Sequence, residues 1–371
     1  MEISNHLIFQ PVDLWGRKLD NRCVVAPMSR VSSNLEGLAT EEIKDYYTSF
    51  AEGKFGVIIT EGLYTDNSYS RGYQNQPGLV TESQICSWKT VTDSVKDYSS
   101  VFIAQLMHAG SLSQFSGRTI SSSAVKPAGF KMAAYGGEGD FPTPKVMSVE
   151  DIEAVKAGFI ASAKNAYLAG FDGVEIHGAN GYLLDQFLTP ELNQRTDQYG
   201  GNVKNRFRIV AEIIGGIRNS LPDDFIIGLR LSEGKVNDLT YRWKDGIEAA
   251  KSLFLEVKLA SPDFIHIAVQ TGEWERDSFF SDSCSLAYVA KVITGLPVIA
   301  NGGLHDLGKA EKALGGNHAD LIAIGKAALA DPYWPVKTIK GEAVTEFHRD
   351  MLWPEATISH QRKKNLDLLN I

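Results

Sequence analysis

The sequence predicts an α/β fold, a (β/α)8 TIM barrel with a capping insertion after strand 3. Three observations carry this. Eight short β-branched runs recur along the chain, their apolar residues are nearly continuous rather than alternating, and segments of helical period lie between them. An open doubly wound sheet is the competing arrangement for the same alternation. At 371 residues the chain is long enough for one such barrel.

The elements follow in order. The first twenty residues, with Gly16 and Arg17 between short apolar runs, read as a hairpin plugging the barrel bottom. Strands are expected at Arg22–Pro27, Gly56–Thr60, Val101–Leu106, Gly173–His177, Phe225–Leu231, Phe264–Val269, Pro297–Ala300 and Ala319–Ile324. Helices are expected at Glu41–Glu52, Glu82–Tyr98, Asn205–Asn219, Lys244–Lys258, Ser285–Thr294 and Leu307–Leu314. One more starts behind Ser148, a capping residue with Asp151 three positions on. It carries Ile152, Val155, Phe159, Ile160, Ala163 and Tyr167 on one face and ends at Gly170. The longest interval between strand ends runs from Leu106 to His177. Its excess is residues 109–146, rich in Gly, Ser and Pro, which reads either as a lid over the active-site face or as a loop guarding an edge. Residues 335–371 form a C-terminal extension, and 1–371 is expected to be a single domain.

Composition excludes several classes. Hydrophobic residues are 43% and charged residues 22%, near the globular average, so the chain is neither disordered nor fibrous. The net charge is −8 and no Lys/Arg run reaches five, which argues against nucleic acid as a partner. No run of 18 apolar residues offers a membrane span, and the N-terminus lacks the basic start and apolar core of a secretory signal. Cys23, Cys86 and Cys284 stand far apart, so a disulfide framework, a Cys-rich zinc site and an iron–sulfur cluster are not expected. A cytoplasmic setting is.

In a barrel of this kind, reactive groups sit where strands end. Strand one runs into Pro27-Met28-Ser29, strand two into Glu61-Gly62, and strand three offers Gln105 and His108. Strand four ends in His177-Gly178-Ala179-Asn180-Gly181-Tyr182 and strand five holds Arg230. Strand seven runs into Gly302-Gly303 and strand eight into Gly325-Lys326. Glycines after strands seven and eight, followed by a cation, suit a phosphate. His177, Asn180 and Tyr182 suit polarisation of a carbonyl with a proton source nearby, although a structural, hydrogen-bonded histidine produces the same short pattern. Arg230 in an apolar strand requires either an ion-pair partner or an anionic ligand. His108 lacks partners at ligand spacing, so no metal is expected.

Longer motifs run through these residues. His177-Gly178-Ala179-Asn180-Gly181-Tyr182-Leu183-Leu184-Asp185-Gln186-Phe187-Leu188 continues into Asn193-Gln194-Arg195-Thr196-Asp197-Gln198-Tyr199-Gly200-Gly201 and Asn205-Arg206. Ala26-Pro27-Met28-Ser29-Arg30 and Gln105-Leu106-Met107-His108-Ala109-Gly110 accompany them. Together they resemble the Old Yellow Enzyme family of FMN-dependent NAD(P)H oxidoreductases, from Leu7 to about Trp334. The resemblance implies a (β/α)8 barrel, non-covalent FMN, and NADPH or NADH as reductant. It further implies Pro27, Met28 and Ser29 along the flavin, Gly62 and Gln105 at its pyrimidine end, and Arg230 by N1 and C2=O. Gly302, Gly303, Gly325 and Lys326 would hold the phosphate, with Lys326 standing where many relatives carry arginine. His177 and Asn180 would bind the substrate oxygen and Tyr182 would donate a proton. The implied reaction reduces the C=C bond of an enone-type small molecule, with ping-pong kinetics. An NAD(P)H oxidase or a quinone or nitro-compound reductase is the alternative. A flavin-free isomerase or lyase barrel stands further off. The sequence leaves homo-oligomer formation open.

Overall fold

The computed structural model describes residues 2–281 and 283–368. Eight parallel strands form a ring: β1 (Cys23–Val25), β2 (Val57–Ile59), β3 (Val101–Met107), β4 (Gly173–His177), β5 (Ile226–Leu231), β6 (Phe264–Ile267), β7 (Val298–Asn301) and β8 (Leu321–Ile324). Each pairs with its sequence neighbour, and β8 pairs with β1, Ile324 opposite Val25, so the sheet closes. The barrel, not the open sheet, is the observed topology. Helices α1 (Glu41–Glu52), α2 (Glu82–Lys96), α3 (Val149–Ala169), α4 (Val203–Arg218), α5 (Gly246–Ala260), α6 (Leu286–Thr294), α7 (Leu307–Gly315) and α8 (Trp334–Lys340) surround it.

The near-continuous apolar runs hide a two-residue alternation. Phe102, Ala104, Leu106, Val174, Ile176, Ile227, Leu229 and Leu231 join the cluster packed between sheet and helices. The residues between them face the barrel axis. Val24, Val57, Val101, Ile103, Ile226, Phe264, Ile299 and Leu321 fill its lower part as a separate apolar cluster. Both faces are buried, so both can be apolar.

Local chemistry sets the element ends. Ser148 accepts a hydrogen bond from the Asp151 backbone N–H while the Asp151 carboxylate accepts one from the Ser148 N–H, and Gly170 closes α3 at φ +92°. α4 starts two residues earlier than its apolar pattern alone indicates, because the Asn202 side chain caps it by accepting from the Asn205 N–H. The N-terminal hairpin pairs Val12–Leu14 with Arg17–Leu19 through a two-residue turn, Trp15-Gly16, both at positive φ. Val12, Leu14 and Trp15 pack on the lower interior cluster, and the Trp15 ring lies 5.2 Å from Phe264. This hairpin plugs the bottom. Among the described residues no helix is long and apolar enough to cross a membrane.

The segment of residues 109–146 carries a short parallel pair, Ile120–Ser121 with Lys145–Val146, and sends Met132 and Tyr135 to the rim of the barrel mouth. The chain beyond α8 returns to the same rim. Phe347 and Leu352 border the mouth, the Ala356 N–H bonds Ala134 O at 2.9 Å, and the Arg30 guanidinium donates to Thr357 O at 2.9 Å.

Candidate active site

The strand ends open into one cavity of about 560 Å³. All thirteen residues singled out from the sequence border it: Pro27, Met28, Ser29, Gly62, Gln105, His177, Asn180, Tyr182, Arg230, Gly302, Gly303, Gly325 and Lys326. His108 does not. Its Nδ1 accepts from the Gly110 N–H and its Nε2 lies 3.4 Å from Asp66.

Strand register brings the inward polar groups together. Arg230 lies opposite His177 on one side and His266 on the other, and Gln105 lies opposite Glu175. Glu175 is fully buried. It accepts from Gln105 Nε2 at 2.7 Å and contacts His266 Nδ1 at 2.8 Å. Burial opposes its ionisation, but the neighbouring His266 and Arg230 outweigh burial and hold its carboxyl below the usual range. The Gln105 amide is thereby oriented, its NH2 toward Glu175 and its oxygen left to accept from a ligand.

Arg230 is 4% exposed, and among the described residues its guanidinium makes no hydrogen bond or ion pair; its Nε is buried without a partner. A buried cation is costly in that state, so the site is built for an acceptor or anion supplied from the cavity. At the β7 exit Gly302 (φ +123°) and Gly303 (φ +75°) adopt backbone that side chains rarely take, and a Cβ on Gly303 would stand 2.4 Å from Gly272 O. These bare N–H groups, with the Lys326 ammonium near Gly272 and over the Phe347 ring, suit a phosphate. A phosphate at one end and an electron-rich ring edge over Arg230 is the donor set FMN requires, and the residues present fit it.

The third group stands on the β4 exit. Asn180 (φ +65°) and Gly181 (φ +85°) turn the chain sharply, and asparagine is one of the few residues that tolerates this conformation. The turn is clasped from the β5 exit. The Asn180 N–H donates to Ser232 Oγ at 2.8 Å, the Val236 N–H to Asn180 O at 3.0 Å, and Asp185 joins the Gly181 N–H to the Lys235 ammonium. His177 Nδ1 accepts from the Ala179 N–H at 3.3 Å, so the proton of the neutral ring sits on Nε2. Burial, with the charges of Arg230 and His266, holds His177 well below its usual pKa. The imidazole is a neutral donor. Among the described residues the Asn180 Oδ1 has no protein partner. The Tyr182 ring meets the His177 ring edge-on at 5.0 Å, and its hydroxyl lies 2.6 Å from that of Tyr73. Burial pushes Tyr182 up to about 12, against the pull of the Tyr73 bond, so the phenol keeps its proton at neutral pH.

Sequence reasoning missed Glu175 and His266, although both are ionisable residues at inward parity in apolar strands, which is a readable signal. It gave no place at the mouth to Tyr73, Tyr135, Phe347 or Leu352. These arrive from loops with no local pattern pointing to the mouth.

Glycine-rich strand exits, a buried arginine, an imidazole, an amide and a phenol thus share one mouth of a closed barrel. The chain belongs to the NADH:flavin oxidoreductase / NADH oxidase family, which it matches over residues 7–344. It is 32% identical over 359 residues to an NADH:acrylate oxidoreductase of Vibrio harveyi, covering 93% of this chain and 34% of that longer protein. It is 30% identical over 356 residues to a probable flavin mononucleotide-dependent alkene reductase of Leishmania infantum, covering 91% of this chain and 92% of the relative. Among solved structures it is similar to morphinone reductase in complex with tetrahydroNAD, with a TM-score of 0.83, 26% identity, and coverage of 96% and 97% of the two chains. The cofactor is FMN, and the reductant is a nicotinamide.

Proposed function

We propose that this chain reduces the C=C bond of α,β-unsaturated carbonyl compounds with NAD(P)H. The observation that carries the reading is the convergence of a neutral imidazole donor, an amide and a protonated phenol on one cavity that also holds the flavin donor set. Gly302, Gly303, Gly325 and Lys326 would hold the FMN phosphate, Arg230, Gln105 and Gly62 its pyrimidine edge, and Pro27, Met28 and Ser29 would flank the ring. FMN bound there would supply the hydride chemistry that links the nicotinamide to the substrate β-carbon. His177 Nε2 and the Asn180 amide hold the substrate oxygen and draw charge toward it as the double bond is lost. Tyr182 then gives its proton to the α-carbon. The apolar rim residues Met132, Tyr135, Leu239 and Leu352 cover the substrate. Residues 109–146 and 335–371 act as parts of one barrel unit rather than as separate domains.

Transient kinetics test this directly. Tyr182→Phe is expected to slow enone-dependent reoxidation of the reduced protein by about 10²–10⁴-fold. Reduction by NAD(P)H, and reoxidation by a quinone or by oxygen, should be unchanged. An equal loss in both half-reactions contradicts the proton-donor role. A wild-type protein that reoxidises fast with quinone or oxygen and not with cyclohexenone is an oxidase or quinone reductase instead.

A further inference from the structure

Tyr182 has only one proton, and the reading above commits it to the substrate. Its oxygen nevertheless lies 2.6 Å from the oxygen of Tyr73, inside hydrogen-bond distance, and both phenols are buried. The hydrogen between the two oxygens must then come from Tyr73 whenever Tyr182 is poised to react, since each hydroxyl carries a single donor. Tyr73 is held for this. It is 2% exposed, its ring packs against Tyr135 at 5.1 Å, and the segment before it is tied down by the Ala109 N–H bonding Ser70 O at 2.8 Å. Among the described residues its hydroxyl is bonded to that of Tyr182, with Ser29 as a further neighbour that favours ionisation of Tyr73 rather than competing for its proton.

We propose that Tyr73 is a positioning residue for proton transfer: its hydroxyl donates to the Tyr182 oxygen and stabilises the phenolate left when Tyr182 gives up its proton. The Tyr182 O–H bond breaks as the α-carbon–H bond forms, and the bonding pair stays on the Tyr182 oxygen. Tyr73 keeps its own proton throughout. A proton from water restores the phenol before the next turnover. Burial, followed by the Tyr182 and Tyr135 phenols, drives the Tyr73 pKa well above the ordinary value. The Tyr73 bond draws Tyr182 down against burial. Of the two, Tyr182 is therefore the group that gives up a proton more readily. A hydrogen bond to a developing anion is stronger than one to a neutral oxygen, so the interaction grows along the reaction and favours its transition state.

This inference rests on Tyr182 as the proton donor, and a double-mutant cycle separates the two. Tyr73→Phe keeps the ring and its packing and removes only the hydroxyl. It is expected to slow enone-dependent reoxidation by roughly 10- to 100-fold, the effect of one hydrogen bond to a charged oxygen. Reduction by NAD(P)H and FMN content should be unchanged. In a Tyr182→Phe background the same change should have almost no effect, because no phenolate forms there. A second readout needs no turnover. With ¹³Cζ-labelled tyrosine, the Tyr182 resonance, assigned by its loss in Tyr182→Phe, should move and titrate at higher pH when Tyr73 becomes phenylalanine. Equal slowing in both backgrounds, no slowing at all, or an unmoved Tyr182 resonance overturns the role of Tyr73. A Tyr182→Phe protein that reoxidises as fast as wild type overturns the parent reading instead.

Discussion

The two ends of the barrel interior obey opposite rules. At the bottom the inward residues are apolar: Val57, Val101, Ile226, Phe264 and Ile299, sealed by the hairpin with Leu14 and Trp15. One or two inward positions higher on β3, β5, β6 and β7 stand Gln105, Arg230, His266 and Asn301, and β4 adds Glu175 and His177. The lower end spends its buried surface on packing. Among the described residues the upper end leaves the Arg230 Nε, the Asn180 Oδ1 and the His266 Nε2 without protein partners. Groups in that condition cost stability and persist where a ligand or a reaction uses them. The contrast teaches where this molecule is held together and where it is prepared to act.

The largest test of the contrast lies at the bottom. Phe264 is fully buried, and its ring fills the space that a side chain at Gly228 would occupy, a Cβ there standing 2.0 Å from the ring. Phe264→Ala should cost about 3–5 kcal/mol of unfolding free energy, read by denaturant titration. A loss below ~1 kcal/mol would show that the lower layer is not the structural anchor.

Arg230→Met probes the other end and should produce the opposite signature. FMN affinity should fall by roughly 10- to 100-fold, measured by fluorescence titration, because a charged donor to the ring edge is gone. The melting temperature of the flavin-free protein should change little, since the cost of burying the guanidinium is removed together with its attraction to Glu175. A clear drop in that temperature would mean Arg230 stabilises the barrel and the contrast fails.

Glu61 gives the smallest effect. It is 1% exposed, accepts from the Arg30 N–H at 2.9 Å, and is lifted by burial from an ordinary 4.5 to about 7. Between those values the folded chain binds more protons than the unfolded one. Its contribution to stability is complete below about pH 4.5 and is lost as pH rises through about 7. Glu61→Gln, neutral throughout, should therefore lose less melting temperature than wild type across that window. Parallel pH curves for the two proteins would remove Glu61 from the account.

Much of this was legible in the chain. All eight strands lie within the runs read from β-branched residues, apart from the last residues of β3 and β7, and the cap at Ser148 and stop at Gly170 bound α3 as expected. The strand-end residues are legible because closing a parallel barrel gathers all its strand ends at one mouth, whatever their separation in sequence. What could not be read has no such rule behind it. The Tyr73–Tyr182 bond spans 109 positions and is set by the course of two loops. The return of Phe347 and Leu352 to the rim depends on anchors such as Arg30 to Thr357, which leave no periodic trace. The orientation of the Gln105 amide depends on Glu175, which only the strand register places beside it.

The strict in-and-out alternation of β5 carries an evolutionary consequence. Losing a single codon between Ile226 and Arg230 would exchange the two faces, turning the guanidinium outward among the helices and an aliphatic chain toward the mouth. Drift in this lineage is thus free to lengthen or trim the rim segments, whereas the staves of the barrel must be inherited at constant parity.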